Sequence, residues 1–392
     1  MQKRLIFDKI APYFEHKNAI IITGLRQVGK TTLLRQIHDF LADKPKIWFD
    51  LDNPLDQKIW EGEDYAGIYK RLISQIGKTE RLFIFLDEIQ NIPSITKIVK
   101  YFIDHYNVKF FITGSSSFYL KNLFPESLSG RKFLYELSPL SFLEFLYFKG
   151  ELTREKTNGD FESLCSNDQV EALKRVHLYE EYMQFGGFPE VVVSNNQETK
   201  KAVLKNIFAS FFEKDLQILS DYQDIRQLRD FILLLVSRVG SMLDITKIAG
   251  ELGVDRQKIY KYLDFLQGIF FIRLLPKFSR SIDREVAGGK KIYFCDTGIL
   301  NTLGMVNSGQ LLENTVVNQL TNYGQCSFYN KRNTSEIDVV LDRRIALEVK
   351  QSASEAVVLK LQKLAKELKL SKFFVVSQNY KNISGVISPT SF

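Results

Sequence analysis

Ala19-Ile20-Ile21-Ile22-Thr23-Gly24-Leu25-Arg26-Gln27-Val28-Gly29-Lys30-Thr31-Thr32 decides the fold. Ala19–Thr23 is a short, nearly unbroken apolar run, as expected of a strand covered on both faces. The residues after it match G-x-x-x-x-G-K-[ST], and Thr31–Leu41 continues with helical periodicity. Glycines let the backbone curl so that successive N–H groups point at phosphate oxygens. The helix behind them turns its positive end to the same place. Gly24, Leu25, Arg26, Gln27, Val28, Gly29, Lys30, Thr31 and Thr32 are therefore the expected ATP cradle. Lys30 is expected to reach the β- and γ-phosphates, and the Thr31 hydroxyl to hold Mg²⁺. A chance glycine turn before a helix is the bland alternative, and the strand–loop–helix context argues against it.

Outward from that loop, strands and amphipathic helices alternate. Lys46–Asp50, Leu82–Leu86, Lys109–Thr113 and Lys132–Leu137 read as further strands, with helices at Tyr65–Ile76 and Ile95–Tyr106. Such alternation predicts an α/β domain with a parallel sheet, over residues 1–145. A helical region, 146–225, follows, then a winged helix–turn–helix, 226–295, and a second α/β domain, 296–392. Glu151–Asp168 is polar and aperiodic and reads as a linker or surface loop.

Leu82–Leu86 delivers Asp87 to a strand end, where it would complete the Mg²⁺ shell. Glu88, next in chain, would orient or deprotonate the attacking water. A glutamate directly after the aspartate favours hydrolysis over transfer to a small acceptor. Thr113 ends the fourth strand and would sense the γ-phosphate between these motifs, while Ser115–Ser117 would cap the next helix. Arg131, after Ser129-Gly130, suits an arginine finger offered by a second copy of the chain, which makes a homo-oligomer one reading. A plain surface arginine is the other.

Gly24–Thr32, Asp50-Leu51-Asp52, Leu86–Gln90, Thr113–Ser117, Glu126–Arg131 and Leu137–Phe142 together resemble the prokaryotic AAA+-like P-loop ATPases. More specifically, they resemble those carrying a C-terminal restriction-endonuclease-like domain of unassigned function. Gly186-Gly187-Phe188-Pro189-Glu190, Tyr293–Gly298 and Glu336-Ile337-Asp338 continue the likeness, which spans nearly the whole chain. The resemblance implies ATPase activity and a cytoplasmic bacterial or archaeal setting.

Leu243–Leu266 has the form of a helix–turn–helix: a short helix ending at Gly253, Asp255 to cap the next, and Ile248, Leu252, Ile259, Leu263 and Leu266 on core faces. Arg256, Gln257, Lys258 and Lys261 then project outward, as major-groove contacts to DNA (or RNA) require. Two strands, Ile269–Leu275 and Lys291–Phe294, would form the wing. Residues 200–290 hold 16 Lys/Arg against 11 Asp/Glu, so much of the chain's formal +7 sits here. A lid, a subunit contact or a merely solvated helix would show the same pattern.

Near the C-terminus, Ser335–Lys350 alternates across two strands. If the hairpin closes about Arg343, Asp338 faces Glu348 and Glu336 faces Lys350. Close carboxylates repel unless a cation sits between them, and Mg²⁺ takes oxygen ligands. Asp338, Glu348 and Lys350 in the pattern D-x₉-E-x-K, with Glu313 on the preceding helix, resemble the metal-dependent PD-(D/E)xK nuclease core. Asp338, Glu348 and Glu313 are then the expected metal ligands, and Lys350 would position the water. A scaffold that no longer cuts is the alternative.

Composition excludes several classes. Of 392 residues, 45% are hydrophobic and 25% charged, which argues against disorder or a coiled-coil rod. Cys165, Cys295 and Cys326 show no disulfide or zinc spacing, and His16, His38, His105 and His177 show no ligand spacing, so a reducing cytoplasm is expected. No apolar run is long enough to span a membrane. Asp296 sits either in a functional turn or in an ordinary strand-ending one. The expectation is an ATP-hydrolysing protein that couples nucleotide state to nucleic-acid binding, with Mg²⁺-dependent cleavage in addition. The alternatives are an ATP-dependent binding switch with a C-terminal scaffold and, third, a small-molecule kinase.

Overall fold

A computed structural model describes residues 2–62, 64–77, 79–92, 94–114, 128, 130–154, 159–165, 169–211, 222–331 and 335–392. The expectations for Ser115–Ser117, for Glu126, Ser127 and Ser129, and for part of the Glu151–Asp168 loop lie outside these residues. The chain divides into two compact units, Met1–Ser138 with Gly268–Phe270, and Pro139–Gln267 with Phe271–Phe392. Among the described residues, no helix is long and apolar enough to cross a membrane.

The first unit holds β1 (Ala19–Thr23), β2 (Lys46–Asp50), β3 (Leu82–Asp87), β4 (Val108–Gly114) and β5 (Lys132–Glu136), with helices α1 (Lys30–Phe40), α2 (Tyr65–Ile76) and α3 (Ile95–His105). All strand pairs are parallel, in the order β2-β3-β4-β1-β5. Every residue of β1, β3 and β4 is buried, whereas the edge strands β2 and β5 are partly exposed. β1 and β3 are apolar runs in the sequence, and β4 is one broken by the buried Lys109. Consecutive strands part on either side of β1, and ligands of open α/β sheets bind at the carboxyl end of such a switch point.

The second unit contains α4 (Gln169–Phe185), α5 (Tyr222–Val236), α6 (Ile245–Leu252) and α7 (Arg256–Gly268), then the antiparallel pair β6 (Ile272–Pro276) and β7 (Lys290–Phe294). A short helix, Ile282–Val286, lies in their connector. Asp244 caps α6, Gly253 ends it at φ 64°, and Asp255 Oδ1 accepts the Lys258 N–H at 2.8 Å. After α8 (Ser308–Leu320) come β8 (Cys326–Lys331), β9 (Ser335–Leu341), β10 (Ile345–Ser352), α9 (Glu355–Glu367), β11 (Lys372–Asn379) and β12 (Val386–Ile387). Their sheet runs β12-β11-β10-β9-β8, with β10 antiparallel to β9 and parallel to β11.

Asp296 belongs to the core of this unit. Its Oδ2 accepts the Gly187 N–H at 2.8 Å and its Oδ1 the Ile299 N–H at 3.0 Å. A side chain on Gly186, at φ +74°, would meet Asp296 Oδ1 at 2.2 Å. The Gly186-Gly187 and Asp296-Thr297-Gly298 motifs thus meet each other, and the aspartate serves as a buried cap.

Candidate functional site

The loop after β1 is shaped by its glycines. Gly24 has φ +145°, and a Cβ there would stand 2.1 Å from the Leu137 carbonyl oxygen, so only glycine fits. Leu137 N–H in turn donates to Thr23 O at 2.7 Å. Gln27 and Gly29 also take positive φ, 60° and 95°, curling the chain into α1. Lys30, the first residue of α1, is 5% exposed, and its Nζ donates to Gly24 O at 3.0 Å and Leu25 O at 2.8 Å. The ammonium is therefore held at the loop itself. Arg4 is also buried: Nη1 donates to Val28 O at 2.9 Å and Nη2 to Ser138 O at 2.8 Å.

Three sequence-predicted residues come together beside this loop. Thr31 Oγ1 donates to Asp87 Oδ1 at 3.3 Å, and Thr113 Oγ1 donates to the same oxygen. Thr113 also accepts the Glu88 N–H at 3.1 Å. The sheet order explains this: β4, which carries Thr113, lies between β1 and β3. Burial raises the Asp87 carboxyl above its ordinary range, the Thr113 and Thr31 hydroxyls act against that, and Glu88 and Asp50 push the same way as burial. A buried carboxylate and a hydroxyl, sharing one spot, are hard oxygen donors that fit Mg²⁺. Glu88 has φ 57°, an uncommon backbone for a glutamate, and its Oε2 accepts from Gln90 Nε2 at 2.5 Å.

Arg131 lies elsewhere. Its carbonyl accepts the Ala19 N–H at 2.8 Å, at the start of β1, and its Nε pairs with Asp104 Oδ1 at 2.5 Å. The length of β1, roughly 15 Å, separates it from its own phosphate loop.

On α7, Arg256, Gln257 and Lys261 are exposed. Lys258 is not outward as expected: its Nζ pairs with Asp224 Oδ1 of α5 at 2.5 Å and lies 5.9 Å from the Tyr262 ring centre.

In the C-terminal sheet, Leu341 pairs with Ile345 and Val339 with Leu347. One further step places Asp338 opposite Glu348, as the sequence predicts. Lys350 Nζ lies 2.7 Å from Glu348 Oε1 and 3.6 Å from Asp338 Oδ2. The cation among the remaining carboxylates is a residue the sequence reading missed. Lys291 of β7, 3% exposed, reaches Glu336 Oε1 at 2.6 Å, Glu313 Oε1 at 3.3 Å and Asp338 Oδ1 at 4.0 Å. Tyr293 Oη donates to Glu313 Oε1 at 2.7 Å. Burial, reinforced by Asp338, pushes Glu313 and Glu348 each up to about 7. Burial alone would lower Lys291, but Glu313, Asp338 and Glu336 outweigh it and hold the ammonium protonated. Among the described residues, no group of three or more His, Cys, Asp or Glu is arranged to hold a metal ion. Glu313, Asp338 and Glu348 each already face a lysine ammonium.

Comparison with known proteins matches three stretches of the chain. Residues 16–146 match a family model described as an AAA domain. Residues 176–310 and 308–389 match two domains of unknown function, DUF8612 and DUF4143. An uncharacterized protein of Methanocaldococcus jannaschii is 28% identical over 89% of this chain and 79% of its own length. One from Haemophilus influenzae is 26% identical over 86% and 84%. Among solved structures, the Aeropyrum pernix ORC1 protein in complex with DNA is similar over 76% of this chain and 90% of that one, at 13% identity and a TM-score of 0.32.

Proposed function

We propose that this chain, whose residues 16–146 are an AAA domain of the P-loop ATPase kind, hydrolyses ATP and uses its nucleotide state to control contact with nucleic acid. The observation that carries the first part is the convergence of the Thr31 and Thr113 hydroxyls on Asp87 Oδ1, beside a loop whose buried lysine opens the following helix. Loop N–H groups and the start of α1 gather the phosphates, and Lys30 swings from the Gly24 and Leu25 carbonyls onto the β- and γ-oxygens. Thr31 and Asp87 would hold Mg²⁺, which when bound neutralises charge on those phosphates. Glu88, braced by Gln90, takes a proton from the water that attacks the γ-phosphorus as the bond to the β–γ bridging oxygen breaks. Thr113 touches both Asp87 and the Glu88 backbone, so it keeps the two carboxylates in register.

Coupling has a physical route within the first unit. The Leu137 carbonyl abuts Gly24, and Arg4 joins the Val28 carbonyl to that of Ser138. A shift of the loop on nucleotide binding must move Leu137–Ser138, from which the chain continues into the second unit. There, α6, α7 and the β6–β7 pair form a winged helix–turn–helix, with Arg256, Gln257 and Lys261 as its nucleic-acid contacts.

The test is ATP turnover with and without DNA and RNA. Stimulation is expected, and Arg256→Ala with Lys261→Ala should remove it while basal turnover stays. Turnover indifferent to either polymer, with no salt-sensitive binding, overturns the nucleic-acid part and leaves the ATPase part standing.

A further inference from the structure

In the second unit, three elements converge on one buried point. Glu313 comes from α8, Glu336 and Asp338 from β9, and Lys291 from β7. The lysine cannot leave cheaply. Its backbone is paired with Leu275 in β6 and bridged to Met242, and its Nζ lies 5.5 Å from the Phe328 ring centre. Withdrawing it would strand a buried ammonium and the largely buried carboxylates of Glu313 and Asp338, each costly without its partner. A Mg²⁺ ion would need oxygens turned to one point at about 2.1 Å. Here Glu313, Glu336 and Asp338 turn instead to a nitrogen. Lys350 serves Glu348 and Asp338 from the other side, and Asp338 Oδ2 is further engaged by the Val349 N–H at 2.8 Å. Glu348 Oε2 is buried without a hydrogen-bond partner.

We propose that Lys291 is the resident cation of this face: it stands where a divalent ion would, neutralises Glu313, Glu336 and Asp338, and makes the C-terminal domain a metal-free structure tied to the β6–β7 hairpin. The D-x₉-E-x-K spacing is kept, but its chemistry is closed by a residue from outside the motif. The domain then acts as a scaffold for the hairpin, and Mg²⁺-dependent cleavage is not its activity.

The test is Mn²⁺ binding to the full chain without nucleotide, followed by the paramagnetic resonance of free Mn²⁺. Wild-type protein should show no site that depends on Asp338. Lys291→Met keeps most of the side chain's apolar stem and removes its charge. It should gain one Mn²⁺ per chain at about 10⁻³ M or tighter, the range of weak carboxylate sites. The double variant K291M/D338N should lose that site again, and the melting temperature of K291M alone should rise with Mn²⁺. Wild-type binding of one Mn²⁺ that Asp338→Asn removes and Asp87→Asn leaves overturns the proposal, as does a folded K291M that gains nothing. Should K291M not fold, the comparison of wild type with D338N decides alone, since asparagine can still accept the Val349 N–H.

Discussion

Replacing Gly24 by alanine should damage ATP turnover far more than replacing Gly29, although both belong to the same motif. At position 24 the new methyl would lie 2.1 Å from Leu137 O, a backbone atom that no rotamer change can move aside. Carbon and oxygen need about 3.2 Å, so the loop and the strand end must part by about 1 Å. Misplacement on that scale costs roughly 10²-fold in rate, or about 2.7 kcal/mol of barrier. At position 29 the nearest atom to a new methyl is Thr32 Cβ at 3.9 Å, so only the strain of φ +95° remains. That strain is worth about 1–2 kcal/mol of stability and does not displace the loop. Steady-state phosphate release should therefore fall about 100-fold for Gly24→Ala and less than about tenfold for Gly29→Ala, with circular dichroism confirming that both fold. A Gly24→Ala protein turning over within threefold of wild type, or equal damage at the two positions, would refute the steric reasoning.

Thr113→Val removes a donor to Asp87 and the acceptor of the Glu88 N–H, so kcat should drop about tenfold or more while ATP affinity holds; a change confined to KM would contradict this role. Lys258→Ala should weaken nucleic-acid binding much less than Lys261→Ala, because Lys258 is committed to Asp224; equal losses of affinity and of salt slope would mean that the pair opens on binding. Stability should also depend on pH with an unusual sign. Asp296 is raised to about 6 by burial, and Glu313 and Glu348 to about 7, against about 4 in the unfolded chain. Between those values the folded state binds more protons than the unfolded one, so its stability falls as pH rises. Urea unfolding should give a larger free energy at pH 5.5 than at 7.5, with a shallower slope in Asp296→Asn; a rise toward pH 7.5 would contradict the assignment.

The sheet of the first unit was legible because β1, β3 and β4 are buried on both faces and so read as mainly apolar runs, with Lys109 the one charge inside β4. The phosphate loop was legible for a related reason, since its chemistry is local: glycines, lysine and threonine lie within nine residues. The hairpin register followed from side-chain alternation alone, and it put Asp338 opposite Glu348. What stayed hidden were contacts between residues far apart in the chain. Lys291 begins a strand as half of a Lys290-Lys291 pair and looks like a solvated basic edge, yet its partners are 22 to 47 residues away. Lys258 has helical spacing that turns it outward on paper, but Asp224 on α5 draws it back. Arg4 precedes every recognisable element, and only the fold brings it to Val28 and Ser138.

The most direct measurement is calorimetric titration of ATP with Mg²⁺ into the full chain and into Lys30→Ala. The account predicts one ATP bound per wild-type chain and binding weakened about 100-fold or more in the variant, as loss of a buried charge on phosphate requires. No heat from well-folded wild-type protein, or equal affinity in the two, would contradict it.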